Sequence, residues 1–300
     1  MPDNSDEHTA VIGERLRQVQ VYISRMPSLS TTVAKVLEVC NKPTASPSDL
    51  NRVISLDPVL TGQVLKLVNS AYYSLPGRVT SLTRAIIMLG VNTVKNLVLA
   101  TSVLASFTTI SATSRFSIDA YWAHCLYVGT AAKAIAKLKK VPVMEQEEYF
   151  VAGLLHDLGK LPMIACFGEL YSQAIRLCGD DYVALFQAEK KMIGFDHCQV
   201  GALISARWKL NTIQHAIVHH HRPLADGCHP DNVLYFTSLA NQMAPYFQFG
   251  TACDRHTDEM LIQKLAKRIG VGTGAILKLK PDIEQEIEKA WVFLNNSAKR

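Results

Sequence analysis

Residues 151–160 read VAGLLHDLGK. Apolar side chains fill most of this stretch, yet a histidine and an aspartate, His156 and Asp157, stand together in its middle. The apolar run predicts a buried helix. A buried carboxylate is costly unless it is paired or ligates a metal. Imidazole nitrogens with a carboxylate oxygen form a donor set for zinc, iron, manganese or nickel. For any single histidine the plainer alternative is a hydrogen-bonded core residue. An HD pair inside an apolar run, followed by several further histidines, points to the metal instead.

On either side of this stretch the periodicity is helical. Val33, Val36, Leu37 and Cys40 lie at i, i+3, i+4 and i+7, one face of a helix. Ser46 ahead of Pro47 and Asp49 supplies an N-cap, a first-turn proline and a first-turn acid, and Asp57-Pro58 repeats the device. Residues 72–77 break the pattern. A short helix over 81–89 stops at Gly90, and Asn92 is placed to cap the next. Residues 108–118 lose the apolar periodicity and mark a candidate boundary. Beyond it, helices are expected at about 119–139, 145–158, 162–178, 181–193, 197–208, 211–221, 232–246, 257–269 and 281–294. Asp196 and Gln199 form a capping box within that series. Few segments alternate with period two, so the fold class is all-α. The expected organisation is an N-terminal helical subdomain over 1–115, a helical core over 116–250 and a C-terminal helical extension over 251–300.

Composition excludes several classes. The 300 residues are 48% hydrophobic and 19% charged, an ordinary globular balance and not that of a disordered chain. A net charge of +5 is too mild to imply nucleic acid by itself. Residues 81–100, SLTRAIIMLGVNTVKNLVLA, have the outline of a helix-turn-helix, but the second helix carries a single basic residue, Lys95. Nucleic acid is therefore not an expected partner. The longest near-apolar stretch read from the sequence, 97–107, is about half the roughly 20 residues of a membrane span, and no membrane partner is expected. The first ten residues are polar and acidic, unlike a signal peptide. Seven scattered cysteines without a CxxC pair argue against a disulfide framework and a cysteine-type zinc site. The expectation is a reduced, cytoplasmic protein.

Ten histidines are present, and seven of them lie between 124 and 221. His215 and His219 share a helical face. His219, His220 and His221 would point about 100° apart on a helix and cannot all face one ion. His8, His229 and His256 lie in polar or turn sequence and are expected at the surface. Lys160, four residues after His156 and one helical turn away, can face an anionic ligand.

These segments together resemble a family. His124, GLLHDLGKL (153–161), DHCQVGALISARW (196–208) and HAIVHHHRP (215–223) are similar to the HDOD branch of the HD superfamily. MPSLSTTVAKVLEVCN (26–41) and ISLDPVLTGQVLKLVNSAYYSLPGRVTSLTRAIIMLGVNTVKNLVL (54–99) resemble what HDOD domains show ahead of their HD pair. The resemblance implies an all-helical HDOD fold, an N-terminal bundle packed on an HD-type core. It implies a divalent transition metal ion at His124, His156 and Asp157, with His197, His220 and His221 around a second. Asn241, in LYFTSLANQMA (234–244), stands where the enzymes of the superfamily have a late acid, and offers only an amide oxygen. Were the chain an enzyme, Asp157 and Lys160 would carry catalytic roles. Arg222-Pro223 after His221, in place of Glu, and the lack of a following GYP count against cyclic di-GMP hydrolysis. The implied function is bacterial signal transduction through a nucleotide-like ligand or a signalling protein. The alternative is a metal-dependent phosphohydrolase acting on a nucleotide or phosphodiester.

Overall fold

The computed structural model describes residues 4–26, 29–40, 42, 44–107, 116–181, 183–226, 228–229, 231–247, 253 and 256–291. Among the described residues the regular elements are all helices. The N-terminal half holds α1 (Asn4–Arg25), α2 (Thr31–Cys40), α3 (Pro47–Ile54), α4 (Pro58–Val68), α5 (Leu82–Leu89) and α6 (Val91–Ala105). The central part holds α7 (Ile118–Leu138), α8 (Val143–Leu155), α9 (Lys160–Asp181), α10 (Leu185–Ile193), α11 (His197–Trp208), α12 (Gln214–His219) and α13 (Asn232–Tyr246). The C-terminal helices are α14 (Glu259–Ile269), α15 (Thr273–Leu277) and α16 (Lys280–Ala290).

Local chemistry explains most of the boundaries. Ser46 and Asp49 close a capping box on α3, Asp57 accepts from the Leu60 N–H to open α4, and Asp196 with Gln199 opens α11. Gly90 alone separates α5 from α6, which are bent by 115°. Its φ of +86° lies in the region that favours glycine. Because α6 starts immediately at Val91, Asn92 sits inside its first turn and does not cap it, a correction to the sequence reading.

Four further departures matter. First, α1 went unassigned by the sequence pattern. Its stripe of Ile12, Leu16, Val19 and Ile23 is narrow and set in polar sequence, but it lies over α9 and α11. Arg15 donates to the Met192 and Ile193 carbonyls at 3.0 and 3.1 Å, and Ile12 covers Gly194, whose φ is +105°. Second, the helix expected over 145–158 ends at Leu155, and residues 156–159 form a turn into α9. His156 and Lys160 are therefore not on one helix. Third, α12 is shorter than the 211–221 expected, so His220 and His221 lie beyond its end. Similarly, α9 runs on to Asp181 and α10 starts at Leu185, where one helix over 181–193 was expected. The proposed boundary at 108–118 falls largely on residues 108–115, and the last residues of the 281–294 helix fall on 292–294; both lie outside the described residues.

One core of buried side chains runs from Val19 and Val33 through Leu97 and Leu154 to Ile217, so the N-terminal helices and the central helices share it. A second joins Leu239 and Ile135 to Leu265, Ile276 and Ile283 of the C-terminal helices. Segment Val143–Gly179 is apolar and long enough to cross a membrane by composition, longer than the stretch read at 97–107. In the fold it is interrupted by the turn at 156–159, and 89% of its apolar window is buried.

Polar contacts also join the two halves. Glu147 on α8 is buried and receives Lys133 Nζ at 2.7 Å and the Tyr73 hydroxyl at 3.0 Å, while Lys133 donates to the Tyr72 hydroxyl at 2.8 Å. Loss of this acceptor leaves the half-buried Tyr73 hydroxyl without its acceptor and the partly buried Lys133 ammonium facing a neutral partner, the Tyr72 hydroxyl. Glu147→Ala is expected to cost about 2–3 kcal/mol, read as a lower urea midpoint, with metal content unchanged.

Candidate functional site

Two close helix contacts build the site. Gly129 on α7 and Gly153 on α8 meet backbone to backbone: a Cβ on Gly153 would lie 2.6 Å from the Gly129 Cα. One turn or so beyond each glycine stand His124 and the His156-Asp157 pair. At the other end of the turn, Gly159 packs against the His197 carbonyl of α11 so tightly that no Cβ fits. Asp157 is thereby held where α7, α8, α9, α11 and the end of α12 converge.

Its two carboxylate oxygens face two sets of donors. Oδ2 lies 3.4 Å from His156 Nε2, 3.7 Å from His124 Nε2 and 2.6 Å from Lys160 Nζ. Oδ1 lies 3.2 Å from His197 Nε2 and 3.5 Å from His220 Nε2. His197 Nε2 is in turn 3.3 Å from His220 Nε2 and 3.1 Å from His221 Nε2. His220 and His221 both reach this point at the end of α12, with their ring centroids 4.2 Å apart. His215 and His219 do not take part; they pack against each other nearer the surface, with His215 3.5 Å from Asp231. His229 and His256 are exposed as expected, and the side chain of His8 lies outside the described residues.

The far ring nitrogens decide which nitrogens point inward. His156 Nδ1 is 2.7 Å from the Gly153 carbonyl, and His220 Nδ1 is 3.0 Å from the Ala216 carbonyl. A carbonyl can only accept, so both rings carry a proton on Nδ1 and turn Nε2 toward Asp157. His197 Nδ1 is 2.7 Å from Glu189, a carboxylate that also accepts the His197 backbone N–H at 2.9 Å and the Tyr171 hydroxyl at 2.8 Å. The ring of His221 stacks on Phe186 with centroids 4.6 Å apart.

Burial is nearly complete. His124, His156, Asp157, Lys160 and His197 are each 1% exposed, and His220 is 0% exposed. Burial holds the His156 and His221 imidazoles well below their ordinary values, in the neutral form that ligates metal. Burial alone would raise the Asp157 carboxyl, but the Lys160 ammonium beside it holds it well below the usual range. Burial alone would lower His197, yet the Glu189 carboxylate pushes it up to about 10. His156 Nε2 and both Asp157 oxygens have no partner in hydrogen-bond geometry, so the Lys160 contact is an ion pair held by charge.

Orphaned, buried, convergent donors of this kind fit a metal ion. His124, His156 and Asp157 form one group able to hold an ion, and His197, Cys198, His220 and His221 form another. A tetrahedral zinc site with bonds of about 2.0–2.1 Å has ligand–ligand edges of about 3.3 Å. Four of the six edges among Asp157 Oδ1, His197, His220 and His221 are near that figure: Oδ1 to His197 and His220 at 3.2 and 3.5 Å, and His197 to His220 and His221 at 3.3 and 3.1 Å. Asn241 is buried on α13, which packs on α7 and α8, and makes no hydrogen bond to these residues. Lys160 is neither a solvated lysine nor turned to an open ligand site; it is sealed against Asp157.

Two participants were missed in the sequence. Glu189 lies in AEKKMIG, where a lone acid beside two lysines reads as a solvated face, although its spacing of four from both Leu185 and Ile193 sets it on the buried side. Cys198 was dismissed with the other cysteines; its Sγ lies 3.9 Å from His220 Nδ1. Glu189 fixes the orientation of a ligand ring, and Glu189→Gln is expected to weaken metal affinity about 10–100-fold in a chelator competition.

Comparisons with known proteins agree with the fold and the family resemblance. An uncharacterized protein from Treponema pallidum is 24% identical over 208 residues, which cover 68% of this chain and 39% of that protein, so the chain spans well under half of this curated relative. The crystal structure of an HDOD domain protein of unknown function from Geobacter sulfurreducens superposes with a TM-score of 0.73 at 23% identity, covering 94% of this chain and 99% of that one. A proposed signal transduction protein from Marinobacter aquaeolei gives 0.74 at 20% identity, covering 97% and 66%. A proposed phosphohydrolase from Shewanella amazonensis gives 0.69 at 21% identity, covering 92% and 98%. The model of the HDOD domain family matches residues 26–223, a span that takes in α2 through the His220-His221 pair and has the HD turn within it, and the chain belongs to the HDOD family.

Proposed function

We propose that this chain is a signal-transduction module whose HD centre holds a divalent transition metal ion and acts through a nucleotide-like ligand or a signalling protein, without turning over phosphodiesters. Burial carries this reading. A hydrolytic metal must present an open position to water and substrate, whereas Asp157 and the side chains around it are at most 1% exposed, apart from the half-buried His221. The charge set supports the same conclusion. Asp157 is the carboxylate on which the Nε2 atoms of His124, His156, His197 and His220 converge, and Asn241, at the place of the late acid, brings no formal charge. Bound there, iron, zinc, manganese or nickel would supply a cross-link between the HD turn and the helices that carry the histidines. His124, His156, His197, His220 and His221 present their Nε2 atoms within this centre, and Glu189 holds the ring of His197. All seven cysteines are free thiols, which supports a reduced, cytoplasmic setting.

One feature favours a second reading, a metal-dependent phosphohydrolase acting on a nucleotide or phosphodiester: two donor sets share one carboxylate, as in two-metal hydrolytic sites. The test is hydrolysis of bis(p-nitrophenyl) phosphate by protein loaded in turn with zinc, manganese and iron. The expected result is bound metal with turnover no higher than that of free metal. Robust turnover abolished by Asp157→Ala would make the phosphohydrolase reading the correct one. Asn241→Asp restores a charge at the late position and is expected to tighten metal binding about tenfold.

A further inference from the structure

The two donor sets around Asp157 are not equivalent. Oδ1 faces imidazoles only. Oδ2, the oxygen that His124 and His156 address, already has the Lys160 ammonium 2.6 Å away. Lys160 is 1% exposed and sits in the first turn of α9, directly behind the HD turn. A divalent ion bonded to Oδ2 at about 2.1 Å would stand only about 4 Å from that ammonium, with no bulk water to screen the repulsion. The His124 and His156 nitrogens, at 3.7 and 3.4 Å from Oδ2, surround a place whose counter-charge the chain itself provides. On the other side, Asp157 Oδ1 lies 3.2 and 3.5 Å from His197 and His220, and His197 lies 3.3 and 3.1 Å from His220 and His221, edges of tetrahedral length. The groups facing that oxygen are imidazoles, which ligate a metal once deprotonated, and not an ammonium.

We propose that Lys160 is a built-in cation that closes the His124–His156 half of the centre, so that the chain takes one divalent ion, on the side of His197, His220, His221 and Asp157 Oδ1. The proposal rests on the metal reading given above and reverses the order in which the family resemblance fills the two sets. It gives Lys160 a role distinct from holding an anionic ligand: it sets the stoichiometry of the site. A chain with a neutral residue at this position would be free to take a second ion.

The experiment is zinc content per chain after equilibration with excess zinc and desalting, on the full chain. All variants carry His219→Ala, which removes the half-exposed His215–His219 pair as an incidental zinc site. The background chain is expected to hold about one zinc. Adding His124→Ala should leave that ion in place, and adding His220→Ala should remove it. Adding Lys160→Met should raise the content to about two, and His124→Ala on top of Lys160→Met should return it to about one. Two zincs in the background chain, loss of the ion with His124→Ala, or a folded Lys160→Met chain that stays at one would each overturn the proposal. Should Lys160→Met fail to fold, the contrast between His124→Ala and His220→Ala decides the matter alone. No zinc in any folded variant sinks the metal reading itself, a pattern different from zinc bound on the wrong side.

Discussion

An Asp157→Ala chain is expected to hold no metal and to lose about 3–5 kcal/mol of folding stability. Both effects come from one position. Asp157 is the carboxylate toward which His124, His156, His197 and His220 all turn, so its removal takes the shared anionic ligand from either donor set. It is also the counter-charge of Lys160, which would be left as a buried ammonium beside the neutral His156 imidazole. Breaking a buried pair by removing one partner is costly because the survivor stays desolvated, whereas removing both leaves no unmatched charge. The double variant Asp157→Ala/Lys160→Met is therefore expected to recover much of the lost stability while still binding no metal. Urea denaturation with parallel metal analysis separates the two effects. A double variant as unstable as the single one would show that the loss comes from packing and not from the stranded charge.

The second large effect is expected from a change of one methyl group. Gly159→Ala places a Cβ on the His197 carbonyl, a backbone atom that cannot rotate away, and close to the Gly201 backbone nitrogen as well. The turn must then separate from α11. Forced overpacking of this kind costs about 3 kcal/mol or more. The separation also carries Asp157 Oδ1 away from His197 and His220, at present 3.2 and 3.5 Å distant. Loss of metal together with a lower urea midpoint is the expected result. By comparison, Gly179→Ala adds a Cβ in open space near the end of α9 and is expected to change neither quantity. Wild-type metal content and stability in Gly159→Ala would mean that the turn and α11 are not in tight contact.

Much of the architecture was legible because short-range chemistry governs it. The caps at Ser46, Asp57 and Asp196 and the stop at Gly90 act within four residues, so they can be read directly from the chain. Helix α1 was not read, because its apolar stripe is one residue wide in a polar segment and gains its meaning only from α9 and α11. The end of α8 was placed three residues late for a related reason. Apolar residues continue through Leu158 and Leu161, so hydrophobicity alone carries the helix onward. What stops it is the demand that Asp157 face five segments at once and that Gly159 meet the His197 carbonyl.

The sequence by itself determined the all-helical class, the family resemblance and the residues from which the centre is assembled, because residue type, helical period and ligand chemistry are properties of the chain. Only the tertiary structure decided how those residues divide the work. His124 and His156 share Oδ2 with a buried lysine, His197 and His220 share Oδ1, and a glutamate that reads as surface charge holds the ring of His197. The physical reason is separation along the chain. His124 lies 33 positions before Asp157 (157 − 124) and His220 lies 63 after it (220 − 157). Which oxygen, which ring nitrogen and which counter-charge meet across such distances is set by helix packing, here by the glycine contacts that let α7, α8 and α11 close on one carboxylate.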